Sequence, residues 1–199
     1  MSTLTELLSD IRANLPKEKF AYPAIPDFVD PTVSLLEKFI QSLSTTGATC
    51  YSVNSIAQVR DIVQQTLPEM PVICSATEEW EGNKSLSAIQ HPRDLEDVDL
   101  GIIRAEFGVA EMGMVWLTEN SLQVNSLGFL AQHLVVLLDP DALTANMHTA
   151  YKRIDFSAST YGCFVMGPSA TADIGAHLVR GAQGPRSLQI FFLKAPTEA

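Results

Sequence analysis

The feature that most constrains this chain is a series of short apolar runs along its second half. They are LGIIRA (100–105), MVWLT (114–118), HLVVLLD (133–139), CFVMG (163–167) and LQIFFL (188–193). Runs of this kind suit strands buried on both faces of a sheet. Earlier in the chain, ATCYSV (48–53) and PVICS (71–75) read as strands, with SIAQVRDIVQQTL (55–67) as a helix between them. Helical material is also expected over 140–152 and 169–180. Strands and helices taking turns predict an open α/β fold, with a mainly parallel sheet and helices on both sides.

The first 32 residues read differently. Thr3 with Glu6 makes a capping-box pattern, and Leu4, Leu7, Leu8, Ile11 and Leu15 recur at helical spacing until Pro16. Pro16, Pro23, Pro26 and Pro31 then mark an extended arm, of a kind that can wrap a neighbouring subunit. Asp30-Pro31 opens a second helix, with Val33, Leu36, Phe39, Ile40 and Leu43 on its face and Gly47 as its stop. The chain thus divides into an N-terminal helix and arm (1–32) and a domain over 33–199.

At 199 residues and 46% hydrophobic, the chain suits one compact domain. Lys and Arg total 13 against 23 Asp and Glu, a formal charge of −10 with no basic block. That argues against nucleic acid and anionic membranes as partners. No apolar run approaches the roughly 20 residues that span a bilayer, and the N-terminus mixes acids into its apolar positions, so a cytoplasmic protein is expected. Cys50, Cys74 and Cys163 sit singly inside apolar runs and read as reduced core thiols. Residues 76–100 carry seven acids and little apolar periodicity, which predicts a solvated loop region.

Three loops could carry chemistry. Gly167-Pro168-Ser169-Ala170-Thr171-Ala172-Asp173-Ile174 follows the strand CFVM, and Ser169 and Thr171 would lie near the first turn of the next helix, where an anion could sit. Equally, Ser169 or Thr171 caps that helix and Asp173 complements its dipole. Gly181-Ala182-Gln183-Gly184-Pro185 is a helix stop and turn that could shape a crevice floor. In Ala110-Glu111-Met112-Gly113, Glu111 is either a nucleophile or general base, or a surface acid in a bend. His133 opens a strand and is a candidate to face the crevice; no histidine pair has metal-ligand spacing. Hydrolase-elbow, P-loop and dinucleotide motifs are missing, and neither a cofactor nor a metal is expected.

In that order and at those separations, DLGIIRAEFGVAEMGMVWL (99–117), HLVVLL (133–138) and GPSATADIGAHLVRGAQGPRSLQIFFL (167–193) resemble the LUD-domain family of lactate utilisation protein C (LutC, YkgG-like). The resemblance implies a three-layer α/β sandwich similar to the NagB/RpiA/CoA-transferase-like fold. It also implies a part in oxidising L-lactate to pyruvate, beside an iron-sulfur subunit and a cysteine-rich subunit. Carried over by residue, it marks Glu111, Gly113, His133, Gly167, Pro168, Ser169, Thr171, Asp173, Gly181, Gly184 and Pro185. Ala170 stands where the family often has arginine, Gly175, Gln183 and Met112 also depart from its pattern, and 119–132 lacks its usual arginine. Two missing arginines weaken a grip on a lactate-like carboxylate, which a guanidinium fork would hold.

These readings lead to an accessory or regulatory subunit of a lactate-oxidising iron-sulfur complex. The alternative is a CoA-transferase-like enzyme, or a module binding a small anionic metabolite, that uses Glu111 and the Gly167–Asp173 loop. Self-association is compatible with either. The three loops are expected to converge on one crevice at the carboxyl ends of the strands, with Glu111 facing a helix N-terminus at Ser169.

Overall fold

A computed structural model describes residues 3–16, 18 and 20–196. Helix α1 (Leu4–Ala13) is capped as its sequence predicts: the Thr3 hydroxyl accepts from the Glu6 amide, and the Glu6 carboxylate accepts from the Thr3 amide at 2.7 Å. None of its residues is buried. The described residues of the arm that follows are exposed, and the arm is tied to the body near its end, where the Asn146 side-chain amide donates to the carbonyls of Asp27 and Phe28.

The body begins with α2 (Leu35–Ser44), β1 (Thr49–Ser52), α3 (Ile56–Thr66) and β2 (Ile73–Ser75). It continues through β3 (Leu100–Arg104), β4 (Phe107–Val109), β5 (Met114–Thr118), α4 (Glu119–Leu122) and α5 (Leu127–Leu130). Then come β6 (His133–Leu138), β7 (Leu143–Thr144), α6 (Met147–Arg153), β8 (Gly162–Val165), β9 (Ala170–Thr171), β10 (Val179–Arg180) and β11 (Ser187–Phe192). The apolar runs became strands within a residue or two of their sequence limits, because little else in the chain could bury both faces of a sheet.

The main sheet has the order β1-β11-β6-β3-β2, and its pairings are parallel. Alternation along β6 divides the core: Leu134, Val136 and Leu138 face one cluster with Phe39 and Leu43 of α2, whereas Val135 and Leu137 face another with Val59 and Val63 of α3. Burying each of these side chains contributes about 1.5–3 kcal/mol relative to exposure.

A second sheet, β7-β4-β5-β8, is mostly antiparallel and packs Val115 and Leu117 into the cluster that holds α2. Its other face carries Phe107, Trp116 and Phe164 beneath α6. The architecture is therefore layered α/β: α3, the parallel sheet, then α2 with the second sheet.

Four expectations need correction. Helix α2 opens at Leu35 with the Ser34 hydroxyl accepting from the Glu37 amide, not at Asp30-Pro31, and Val33 is exposed outside it. No helix occupies 169–180; β9 and β10 pair antiparallel there, and Gly175 and Ala176 both take positive φ, which no right-handed helix accommodates. The helix expected over 140–152 is confined to α6, because the Asn146 side chain caps it by accepting from the Thr149 amide at 3.0 Å. Residues 76–100 are not merely solvated: Trp80, Leu86, Leu95 and Val98 are buried anchors, and the Asp99 carboxylate accepts from the Val72 amide at 2.8 Å.

Candidate functional site

Most of the residues singled out in the sequence gather around the C-terminal turn of α2 and the amino ends of the parallel strands. Because β5 and β8 pair antiparallel, with Val115 opposite Val165, the residues just before β5 and just after β8 emerge at the same end of the second sheet. Gly113 (φ +64) packs there against the backbone of Leu43, and Gly167 (φ +73) against Thr46. A side chain at Gly113 would overlap α2 and one at Gly167 the turn just after it, which is why both loops carry glycine.

Beyond Gly167, the two glycine-rich loops are knitted into one unit. The Ser169 amide donates to the Pro185 carbonyl at 2.9 Å, and the Gly181 amide donates to the Ser169 carbonyl at 2.9 Å. A Cβ on Gly184 would lie 3.1 Å from the Ser169 Cβ. Pro168 and Pro185 are buried, and the Thr171 hydroxyl accepts from the Asp173 amide in an exposed turn. The Arg186 amide donates to the Gln132 carbonyl at 2.7 Å, which joins this unit to the start of β6. His133 is half-buried there with its Nδ1 2.7 Å from the Ser187 hydroxyl; burial, and then Arg186, hold its pKa below the usual 6.5.

Glu111 also lies beside the C-terminal turn of α2, but it faces away from the knitted unit into another cavity. Its amide donates to the Ala145 carbonyl, its carbonyl accepts from the Ser42 hydroxyl, and Oε2 accepts from the Met147 amide at 3.2 Å. It lines a cavity of about 560 Å³ with Lys38, Asn146, His148 and the arm residues Phe28 and Asp30. No residue of 167–185 forms part of that wall, so Glu111 and Ser169 do not share it, and the helix end expected at Ser169 does not exist. The arrangement joins a carboxylate, a Lys, a His and an amide, which can bind a small polar molecule or move a proton.

The carboxyl ends of the parallel strands, where the sequence reasoning sought these loops, hold different residues. Arg104 ends β3 and forms an ion pair with Glu79, and the adjoining Glu106 accepts from the Thr118 hydroxyl at 3.0 Å. Glu106 and Asn120 line a second cavity, of about 550 Å³, with Trp116, Tyr161 and Arg153. The signal that could have found Glu106 is positional: it directly follows LGIIRA, at the carboxyl end of a central strand.

Comparison with known proteins follows the same outline. The sequence profile of the LUD domain matches residues 80–193. The chain belongs to the LUD-domain family. It is 30% identical over 123 residues to lactate utilization protein C of Geobacillus thermodenitrificans, a match covering 59% of this chain and 50% of that protein. The protein of the same name from Oceanobacillus iheyensis is 29% identical over 96 residues, covering 45% of this chain and 41% of the relative. The chain thus spans half or less of the curated relatives it matches. A crystal structure of a DUF162 family protein from Deinococcus radiodurans superposes with a TM-score of 0.61 at 14% identity, over 80% of this chain and 96% of that one. That likeness supports the three-layer α/β fold. The LUD match contains Glu111, His133 and the knitted unit from Gly167 to Pro185, whereas the arm and α2 precede it.

Proposed function

We propose that this LUD-domain chain serves L-lactate utilisation as a LutC-like accessory or regulatory subunit, beside an iron-sulfur subunit and a cysteine-rich subunit. The observation that carries this reading is the match to proteins named lactate utilization protein C within a chain that has the LUD profile. The thiols support the division of labour. Cys50, Cys74 and Cys163 lie on three different strands, and burial pushes each of them up, away from the thiolate that a cluster ligand must be. The two electrons of lactate oxidation then belong to partners.

In this proposal residues 33–199 act as one LUD unit, and 1–32 are its arm. His133, Ser169, Thr171 and Asp173 form the surface that meets a partner or a small anionic metabolite, and Gly113, Gly167, Pro168, Gly181, Gly184 and Pro185 hold the loops that present it. The second reading, an enzyme or binding module using Glu111, draws on the placement of that carboxylate in a cavity beside Lys38 and His148. One of its oxygens is already engaged by a backbone amide, which favours a holding role over nucleophilic attack.

Reconstitution separates the two. Purified alone, the chain forms no pyruvate from L-lactate with an artificial electron acceptor, and adding both partner subunits gives turnover that falls at least tenfold when this chain is omitted. Robust turnover by the lone chain overturns the accessory-subunit reading, and loss of that turnover in Glu111→Ala would favour the second.

A further inference from the structure

The cavity at the carboxyl end of β3 lies outside the residues that the family resemblance marks, and it has the features of a small-molecule site. Its volume, about 550 Å³, is in the range of ligand pockets. One wall is aromatic: the Phe107 and Trp116 rings that line it lie 6.3 Å apart and 24° from parallel, and Phe164, outside the lining, packs against Trp116 with ring centres 4.6 Å apart. The indole lies over Gly162, where any Cβ would overlap it, so glycine at this point sets the position of the wall. The Arg153 guanidinium sits 4.7 Å from the centre of the Phe107 ring and donates to the Ala142 carbonyl at 3.0 Å.

The mouth is polar. Glu106 is exposed, with one oxygen fixed by the Thr118 hydroxyl; among the described residues its other oxygen takes no hydrogen bond. Asn120 and the Thr160 segment complete the rim, and Thr160 is anchored to the Glu119 carboxylate through its amide at 2.8 Å and its hydroxyl at 2.8 Å. Glu106 and Asp155 outnumber Arg153 among the charged residues that line the cavity, so an added negative charge is disfavoured.

We propose that this cavity binds a neutral, fused-ring heteroaromatic compound with N–H donors, of the purine nucleoside kind. Its ring stacks on Trp116 and an N–H of the ring or its amino group donates to Glu106. Stacking on an aromatic face suits any such ring, and the carboxylate selects those that present a donor. The proposal stands apart from the lactate-utilisation reading and requires none of its partners.

The test uses the full chain labelled with 5-fluorotryptophan. Its two tryptophans give two fluorine resonances, Trp116 at the cavity and Trp80 in the core cluster around α3, assigned with Trp80→Phe. Adenosine and guanosine are expected to move the Trp116 resonance saturably and leave Trp80 in place, while adenosine monophosphate binds several-fold more weakly. Glu106→Ala, at an exposed position, weakens the nucleosides by about tenfold or more, the loss of one hydrogen bond to a charged group. Gly162→Ala, which displaces the indole, abolishes the shift in protein whose circular dichroism remains native. The proposal is overturned if neither nucleoside gives a saturable shift at millimolar concentration, if Glu106→Ala binds as well as the parent, or if the monophosphate binds as tightly as adenosine.

Discussion

Gly113 and Gly167 show how the family motifs are tied to physical need at single positions. Gly113 combines a φ of +64 with backbone contact against Leu43, so Gly113→Ala must both enter a left-handed conformation and push on α2. The expected cost is about 1–3 kcal/mol, read as a lowered midpoint in urea unfolding. His133 supplies a pH dependence. Its folded pKa is lowered, chiefly by burial, so the unfolded chain binds the proton more readily. Its stabilising contribution is therefore present above the unfolded value of about 6.5 and is lost as pH falls from there through the lower folded pKa. Unfolding midpoints should drop between pH 7.5 and pH 5.5, and the drop should be smaller in His133→Asn; an unchanged slope would show that His133 does not titrate as its surroundings demand. At this scale the sequence marked Glu111 by its neighbours and Glu106 only by its place directly after LGIIRA. Both are acids in short turns, and only the path of the main sheet separates a hairpin tip from a carboxyl-end crevice.

Elements were legible where a local cap or an apolar period admitted one reading. The capping box at Thr3 and Glu6 formed as its spacing requires, and α3 follows its apolar period. The segment 169–180 failed because its hydroxyls and glycines fit a helix start and a tight β-turn equally well, and the pairing of Thr171 with Val179 decides between them. Helix α1 has good local signals but buries nothing, and an isolated helix of ten residues is marginal in water. Removing the chain through Leu15 should thus leave the thermal midpoint unchanged within about 1 °C, on the scale of a surface change; a fall of several degrees would reveal packing that α1 makes in solution. Asn146 has the opposite character. It caps α6 and also holds the arm through Asp27 and Phe28, so Asn146→Ala should cost about 1–2 kcal/mol and make the arm more sensitive to limited proteolysis.

Across the whole molecule, the parallel sheet could be read in advance because β6 and β3 bury apolar side chains on both faces and β11 does so but for Ser187 and Gln189, as covered parallel strands do. The second sheet could not. Its strands have the same composition, and nothing local distinguishes an antiparallel hairpin such as β4–β5 from two further parallel strands. That confusion also displaced the candidate site: loops expected at the carboxyl edge lie near the amino ends of β6 and β11, and a different set of residues lines the carboxyl edge. The proposed role as a dependent subunit in lactate utilisation rests on the family relation to proteins named lactate utilization protein C. The most direct measurement is growth of the source cells on L-lactate as sole carbon source after deletion of this chain, with pyruvate as the control carbon source. Growth on L-lactate should be lost, growth on pyruvate retained, and growth on L-lactate restored by the wild-type chain; undiminished growth of the deletion strain on L-lactate would contradict the account.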